Sequence, residues 1–320
     1  MTRFFASILA VLVSILLLGC NDDSGEQSEM KGRIGMTCMD LTNPFFKLIA
    51  NVMAEEAATH GYEVIALNGE LDPAKQNSQM ADFVAQGYDA IFLNPVDSRS
   101  AGEGVKAATA AGIPVFTFDV QVSDEEAAAQ VVSHIGSDNF QGGVLAGESM
   151  MKALGNKGKV AILSLPEVSS CILRVDGFKE ALEKASSPIE IVTELSGKGS
   201  RDAGFSVTTD ILQAHPDIDG IFAINDPSAL GAHAAVAKAD KTDEITIVAF
   251  DASPAGKQGV FEKKLFDTPQ QFPRKMATGT VAAFLSYLNG EEVENKTLIP
   301  CAHYLYETSV DDESRIQEQW

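Results

Sequence analysis

Side chains able to bind or to transfer protons stand directly after short apolar runs. Asp119 follows Val115-Phe116-Thr117-Phe118, Asn225 and Asp226 follow Ile221-Phe222-Ala223-Ile224, and Asp251 follows Ile247-Val248-Ala249-Phe250. Asn43 and Phe45 follow an earlier apolar run at 33–37. Two carboxylates such as Asp119 and Asp251 suit hydrogen bonding to hydroxyls or, at the right separation, the acid and nucleophile roles of a glycosidase. Spacing in sequence does not give that separation. Other chemistries lack their residues. No Cys-x-x-Cys pair or His-Glu-x-x-His helix is present for zinc, and Gly197-Lys198-Gly199 does not continue into a dinucleotide-binding Gly-x-Gly-x-x-Gly. No Gly-x-Ser-x-Gly elbow marks a nucleophile. Asp124-Glu125-Glu126 lacks the spacing of a calcium loop and reads as a solvated helix start. The expectation is a binding protein without metal or cofactor, not an enzyme.

The elements around these residues alternate. Strands are expected at 33–37, 62–67, 90–93 and 114–118, with helices at 44–60, 74–86 and 101–111 between them. Gly61, Gly87 and Gly112 follow the three helices, where a left-handed cap residue is wanted. The rhythm restarts at 131–135, followed by strands at 159–163, 189–193, 220–224 and 246–250. Helices at 140–154, 174–184, 201–214 and 228–239 separate them, and 273–288 is a late helix. Such alternation predicts parallel sheets covered by helices on both faces, in two similar α/β halves. Open parallel sheets bind ligands beyond the carboxyl ends of their strands. That is where Asn43, Asp119, Asn225 and Asp251 fall, so two halves facing each other would form a cleft.

The start of the chain reads as an address. Arg3 precedes an apolar stretch at 4–18, shorter than the ~20 residues that span a bilayer. A short apolar core behind a basic start is a secretory signal. It ends in Leu17-Leu18-Gly19-Cys20, which resembles the bacterial lipobox, and this implies lipidation at Cys20. Residues 20–32 are polar and read as a tether. Net charge is −21, from 24 basic and 45 acidic residues, which argues against nucleic acid as a partner. Cys38, Cys171 and Cys301 are odd in number and far apart, so no disulfide framework follows, and their pairing stays open.

Several motifs in order resemble ribose-type sugar-binding proteins, the type I periplasmic binding proteins that serve ABC importers. They are Thr42-Asn43-Pro44-Phe45-Phe46, Asn94-Pro95-Val96-Asp97-Ser98, residues 132–139, Arg174-Val175-Asp176-Gly177-Phe178, Ala223-Ile224-Asn225-Asp226 and Phe250-Asp251-Ala252-Ser253-Pro254. The resemblance implies two doubly wound parallel-sheet domains joined by a three-crossover hinge. It places one subdomain at 33–137 plus 272–300 and the other at 138–271 plus 301–320.

The resemblance also implies a pocket. Phe45 and Phe46 match the family's aromatic pair by the first strand, although Phe46 is as well explained as core. Asn43 would bond a hydroxyl while also capping a helix ahead of Pro44. Asp119 and Asp251 would accept hydroxyl protons, Arg174 would donate from a rigid fork, and Asn225 and Gln271 would donate and accept. Phe250 is expected at the pocket or at the buried end of its strand. Three positions depart from the family. Val120 stands where ribose binders carry an arginine, Gly199 where they carry an aromatic, and Cys38-Met39-Asp40 where they carry small polar residues. Ribose therefore does not follow. Glu167 reads as an exposed loop acid.

The resulting expectation is a periplasmic, lipid-anchored monomer that binds a monosaccharide or polyol and delivers it to ABC permease membrane subunits. The same pocket would equally serve a sensory receptor for a sugar or autoinducer-2, feeding a chemoreceptor or sensor kinase. A transcription regulator of the lactose-repressor type shares the fold, but begins with a helix-turn-helix domain where this chain begins with a signal.

Overall fold

The computed structural model describes residues 30–309. The lipidation expected at Cys20 and the signal expected at 1–19 lie outside them. Strand β1 (Gly32–Cys38) is buried throughout from Ile34 to Cys38, on both faces of the strand. A strand with no wet face needs cover on both sides, which is the condition of a parallel sheet flanked by helices. The chain supplies that cover by alternation. In the first half run α1 (Pro44–Thr59), β2 (Tyr62–Asn68), α2 (Pro73–Ala85), β3 (Ala90–Leu93), α3 (Ala101–Ala110), β4 (Val115–Phe118), a short α4 (Glu125–Ala128) and β5 (Ser133–Ser137). Then follow α5 (Asn139–Leu154), β6 (Lys159–Ser164), α6 (Ser169–Lys184), β7 (Glu190–Ser196), α7 (Arg201–Ala214), β8 (Gly220–Ala223), α8 (Asp226–Lys238), β9 (Thr246–Val248) and α9 (Pro254–Phe261). The chain continues with α10 (Pro273–Leu288), β10 (Lys296–Ile299) and α11 (Tyr306–Ser309).

Two sheets result, with every paired strand parallel. A six-stranded sheet has the order β10-β5-β4-β3-β1-β2, and a four-stranded sheet has the order β7-β6-β8-β9. The halves are thus less alike than the alternation suggests. The expected restart at 131–135 is instead the first sheet's own strand β5, in register with β4 from Phe116↔Ser133. Alternation reveals that a strand exists, not which sheet it joins. Strand β10 escaped notice because its residues are mostly exposed, with no apolar run to announce it. Helix α6 begins at Ser169, five residues before the expected start, and Val168 at its cap position has no side-chain cap to mark that start in the sequence.

Three segments cross between the sheets, near 138, 270 and 301, and they are tied to one another. The Asp138 N–H donates to the Ile299 carbonyl at 2.8 Å and Gln270 N–H to the Ala302 carbonyl at 2.6 Å. The Gln141 side chain accepts from Cys301 N–H at 2.9 Å. These linked crossings give the three-crossover architecture. Cys38, Cys171 and Cys301 are free and buried, and burial pushes their thiols up to about 12, 11 and 12. Among the described residues no helix is long and apolar enough to cross a membrane. Nor do three His, Cys, Asp or Glu side chains gather as a metal site among them.

Candidate ligand-binding site

The carboxyl ends of β1, β4, β8 and β9 face a shared cleft between the sheets, and a cavity of about 110 Å³ lies there. That volume holds several waters, because one needs only roughly 10–15 Å³ on this measure. It is the scale of one small polyhydroxylated molecule. Asn43, Phe45, Phe46, Asp119, Arg174, Asn225, Asp251 and Gln271 all line it. Phe250 does not. It is fully buried at the strand's end, and the Arg174 guanidinium carbon lies 4.0 Å from its ring centroid. Phe250 supports the arginine from beneath. Glu167 is an exposed loop residue away from the lining, as expected of it.

Both acids sit on unusual backbone. Asp119 has φ of 60° and Asp251 of 112°. Such values are rare for side-chain-bearing residues and are retained where the surroundings enforce them, often at functional sites. At Asp119 the enforcement is a three-residue turn, closed by the Val120 N–H donating to the Phe118 carbonyl at 2.6 Å. At Asp251 it comes from the crossing segment. The Asp251 N–H donates to the Pro269 carbonyl at 2.9 Å, and its own carbonyl accepts from Gln271 N–H at 3.0 Å. The Ala252 N–H donates to Thr268 Oγ1 at 3.0 Å.

Arg174 is fixed on three sides. Its Nε donates to Asn139 Oδ1 at 2.8 Å, and one terminal nitrogen donates to the Ile224 carbonyl at 2.6 Å and to Asp251 Oδ1 at 3.2 Å. Its own helix is held close to α5 by two glycines. A Cβ on Gly143 would drive into the Arg174 carbonyl, and one on Gly177 into the Phe140 carbonyl. Gln271 Nε2 donates to the same Asp251 oxygen at 2.6 Å.

The remaining polar groups are half spent. Asn225 caps α8 by accepting from Ser228 N–H at 3.0 Å and donates to the Gly199 carbonyl at 2.9 Å. Asn43 accepts from Phe45 N–H at 3.0 Å, the cap expected of it. An amide has two donors and two acceptor lone pairs, so both keep capacity for a ligand. Phe45 and Phe46 meet edge to face at 5.2 Å. Gly199 lines the cavity, and a Cβ there would sit in ordinary contact, 3.4 Å from Leu165 Cδ2.

The acids are crowded. Burial pushes Asp119 up to about 7 against the pull of Arg174. It also raises the buried neighbours Asp251 and Asp226, the first held back by Arg174 and by its hydrogen bond from Gln271. Asp119 Oδ2 accepts from Asn94 Nδ2 at 3.2 Å. Among the described residues its Oδ1 is buried without a partner, and so is Gln271 Oε1. Buried acceptors left unpaired are costly, and here they line a cavity.

Sequence reasoning named the motifs holding Asn94 and Asn139 but gave neither a role. Their signal was present in those motifs, and their function is to hold Asp119 and Arg174. Met39 lies in a segment that departs from the family, whereas the apolar lining residues Leu165, Val168 and Cys171 carry no signal that distinguishes them from core. A serine, a histidine and an aspartate also meet elsewhere, but not as a catalytic set. Ser149 Oγ and His303 Nδ1 converge on one oxygen of Asp267, at 2.5 and 2.8 Å. The hydroxyl is thus directed at the carboxylate, not at a base.

Two parallel sheets, three tied crossings and a polar cleft at the strand ends define a type I periplasmic binding protein. Residues 34–292 match the periplasmic binding protein domain family, and the chain belongs to it. It is 34% identical to the ribose import binding protein RbsB of Escherichia coli K12, over 90% of this chain and 95% of that protein. It is 32% identical to a D-apiose import binding protein of Paraburkholderia graminis, over 81% of this chain and 83% of that protein. Among solved structures, a Bacillus halodurans ABC transporter solute-binding protein with bound myo-inositol superposes with a TM-score of 0.82 at 29% identity. That match covers 91% of this chain and 99% of the other. These relatives are receptors of transporters, not enzymes.

Proposed function

We propose that the protein is an extracytoplasmic receptor that binds one monosaccharide or polyol in the cleft and presents it to the membrane subunits of an ABC importer. The observation that carries this reading is the pair of unpartnered buried acceptors, Asp119 Oδ1 and Gln271 Oε1, in a cavity the size of one sugar ring. Hydroxyl donors would satisfy both. Arg174, Asn225 and Asn43 would supply the complementary donors, and Phe45 and Phe46 the apolar faces that sugar C–H groups favour. Relatives named for ribose and apiose import, and one holding myo-inositol, support the ligand class. In this reading the moving bodies are residues 33–137 plus 272–300 and 138–271 plus the tail. Cys20 carries the lipid anchor, and the protein acts as a monomer.

A thermal-shift screen against pentoses, hexoses and polyols tests the reading. A ligand that binds only the folded state at a hundredfold excess over Kd stabilises by about 2.7 kcal/mol. The expected result is a clear upward shift with at least one sugar or polyol. No shift across the panel would refute it.

A further inference from the structure

The cavity is polar on one side and apolar on another, and the apolar side is built from both lobes. Val120, one residue beyond Asp119, is 0% exposed, and Val168 and Cys171, flanking the start of α6, are 3% and 6% exposed. All three line the cavity and belong to one apolar cluster. They meet because Ser169 Oγ donates to the Gln121 carbonyl at 3.1 Å and Ser169 N–H to Ser98 Oγ at 3.0 Å. These bonds close the cleft at residues adjacent to Val120 and Val168. The buried Ser170 hydroxyl, in the same turn, lines the cavity as well.

We infer that the ligand carries a deoxygenated, methyl-bearing end, as a 6-deoxyhexose does, and that this end packs against Val120, Val168 and Cys171. The inference rests on the sugar-receptor reading and narrows it. A ligand hydroxyl set against Val120, Val168 and Cys171 would give up its water for apolar neighbours and, at most, the Ser170 hydroxyl. A methyl there loses nothing and buries apolar surface. The hydroxylated edge of the same ring then faces Asp119 Oδ1 and Gln271 Oε1, the acceptors that lack donors. An apolar site of this kind discriminates against an added hydroxyl by roughly tenfold to a hundredfold.

The test is calorimetric titration of the secreted protein with matched pairs: D-fucose and D-galactose, L-fucose and L-galactose, L-rhamnose and L-mannose. In the pair that binds, the deoxy sugar is expected to bind at least tenfold more tightly than its parent hexose. Val120→Thr, nearly the same shape with one hydroxyl, is expected to shrink that ratio several-fold. A hexose that binds as well as its deoxy partner, binding confined to pentoses or polyols, or a ratio untouched by Val120→Thr would overturn the inference and leave the sugar-receptor reading standing. No binding by any sugar or polyol would overturn both.

Discussion

At the scale of single residues, the site's chemistry follows from too little charge compensation in a small space. Asp119 faces Arg174 across the cleft, yet burial still holds its carboxyl near 7. A ligand that donates hydroxyl protons to Asp119 favours the ionised form and lowers that value. Binding therefore releases a proton, and affinity falls as pH drops through 7. Calorimetry from pH 7.5 to 5.5 should show roughly a tenfold loss of affinity, since each unit of pKa shift is worth about 1.4 kcal/mol. In Asp119→Asn, which does not titrate, the affinity should be weaker and flat across that range. A slope that survives this substitution would assign the proton to another group.

At the scale of elements, helix starts do two jobs. Asn43 and Asn225 cap α1 and α8 while lining the cavity, so ordinary capping fixes the rotamers of these cavity-lining side chains. Arg174 is aimed differently, by the contact of α5 and α6 at Gly143 and Gly177. Gly143→Ala should force the helices apart, costing about 1–3 kcal/mol of stability. Because the displaced backbone is that of Arg174, ligand affinity should fall as well. Chemical denaturation and titration of this one variant check both, and intact affinity would separate the contact from the site. The sequence made much of this legible. Apolar runs and helix periods locate nine of the ten strands among the described residues, and eight of the nine residues named from the motifs line one cavity. Three things stayed hidden. Positive φ comes from a tight local turn at Asp119 and, at Asp251, from the crossing segment near 270, and neither turn has a sequence signature. Strand β10 is an edge with little apolar character. Phe250 could be read as pocket or core, and only the stacked guanidinium places it beneath the site.

At the scale of the molecule, a cleft between two sheets tied by three crossings can report occupancy by closing. The fold family closes over ligand by hinge motion, with hinge residues at element ends. Cross-cleft bonds suit such a mechanism. Ser98 N–H donates to the Glu167 carbonyl at 3.2 Å, and Ser98 Oγ accepts from Ser169 N–H at 3.0 Å. Ser98→Ala deletes the second. A bond of this kind contributes about 0.5–1.5 kcal/mol. The bound ligand should therefore leave roughly twofold to tenfold faster, with the folded state retained. Stopped-flow release kinetics decide this, and an unchanged release rate would show that the latch does not hold the closed form.

On the proposed function, sugar binding depends on the Asp119 acceptor, which is already buried. Asp119→Ala tests it most directly, because the carboxyl removed has an unpaired oxygen and its loss leaves no unpaired cation, Arg174 keeping Asp251. The measurement is a calorimetric titration of wild type and Asp119→Ala with the best sugar from the screen, alongside their ligand-free melting points. The account predicts a loss of affinity of at least about a hundredfold, as expected for a charged hydrogen bond of roughly 3 kcal/mol, with the melting point retained. Wild-type affinity in the variant would contradict it.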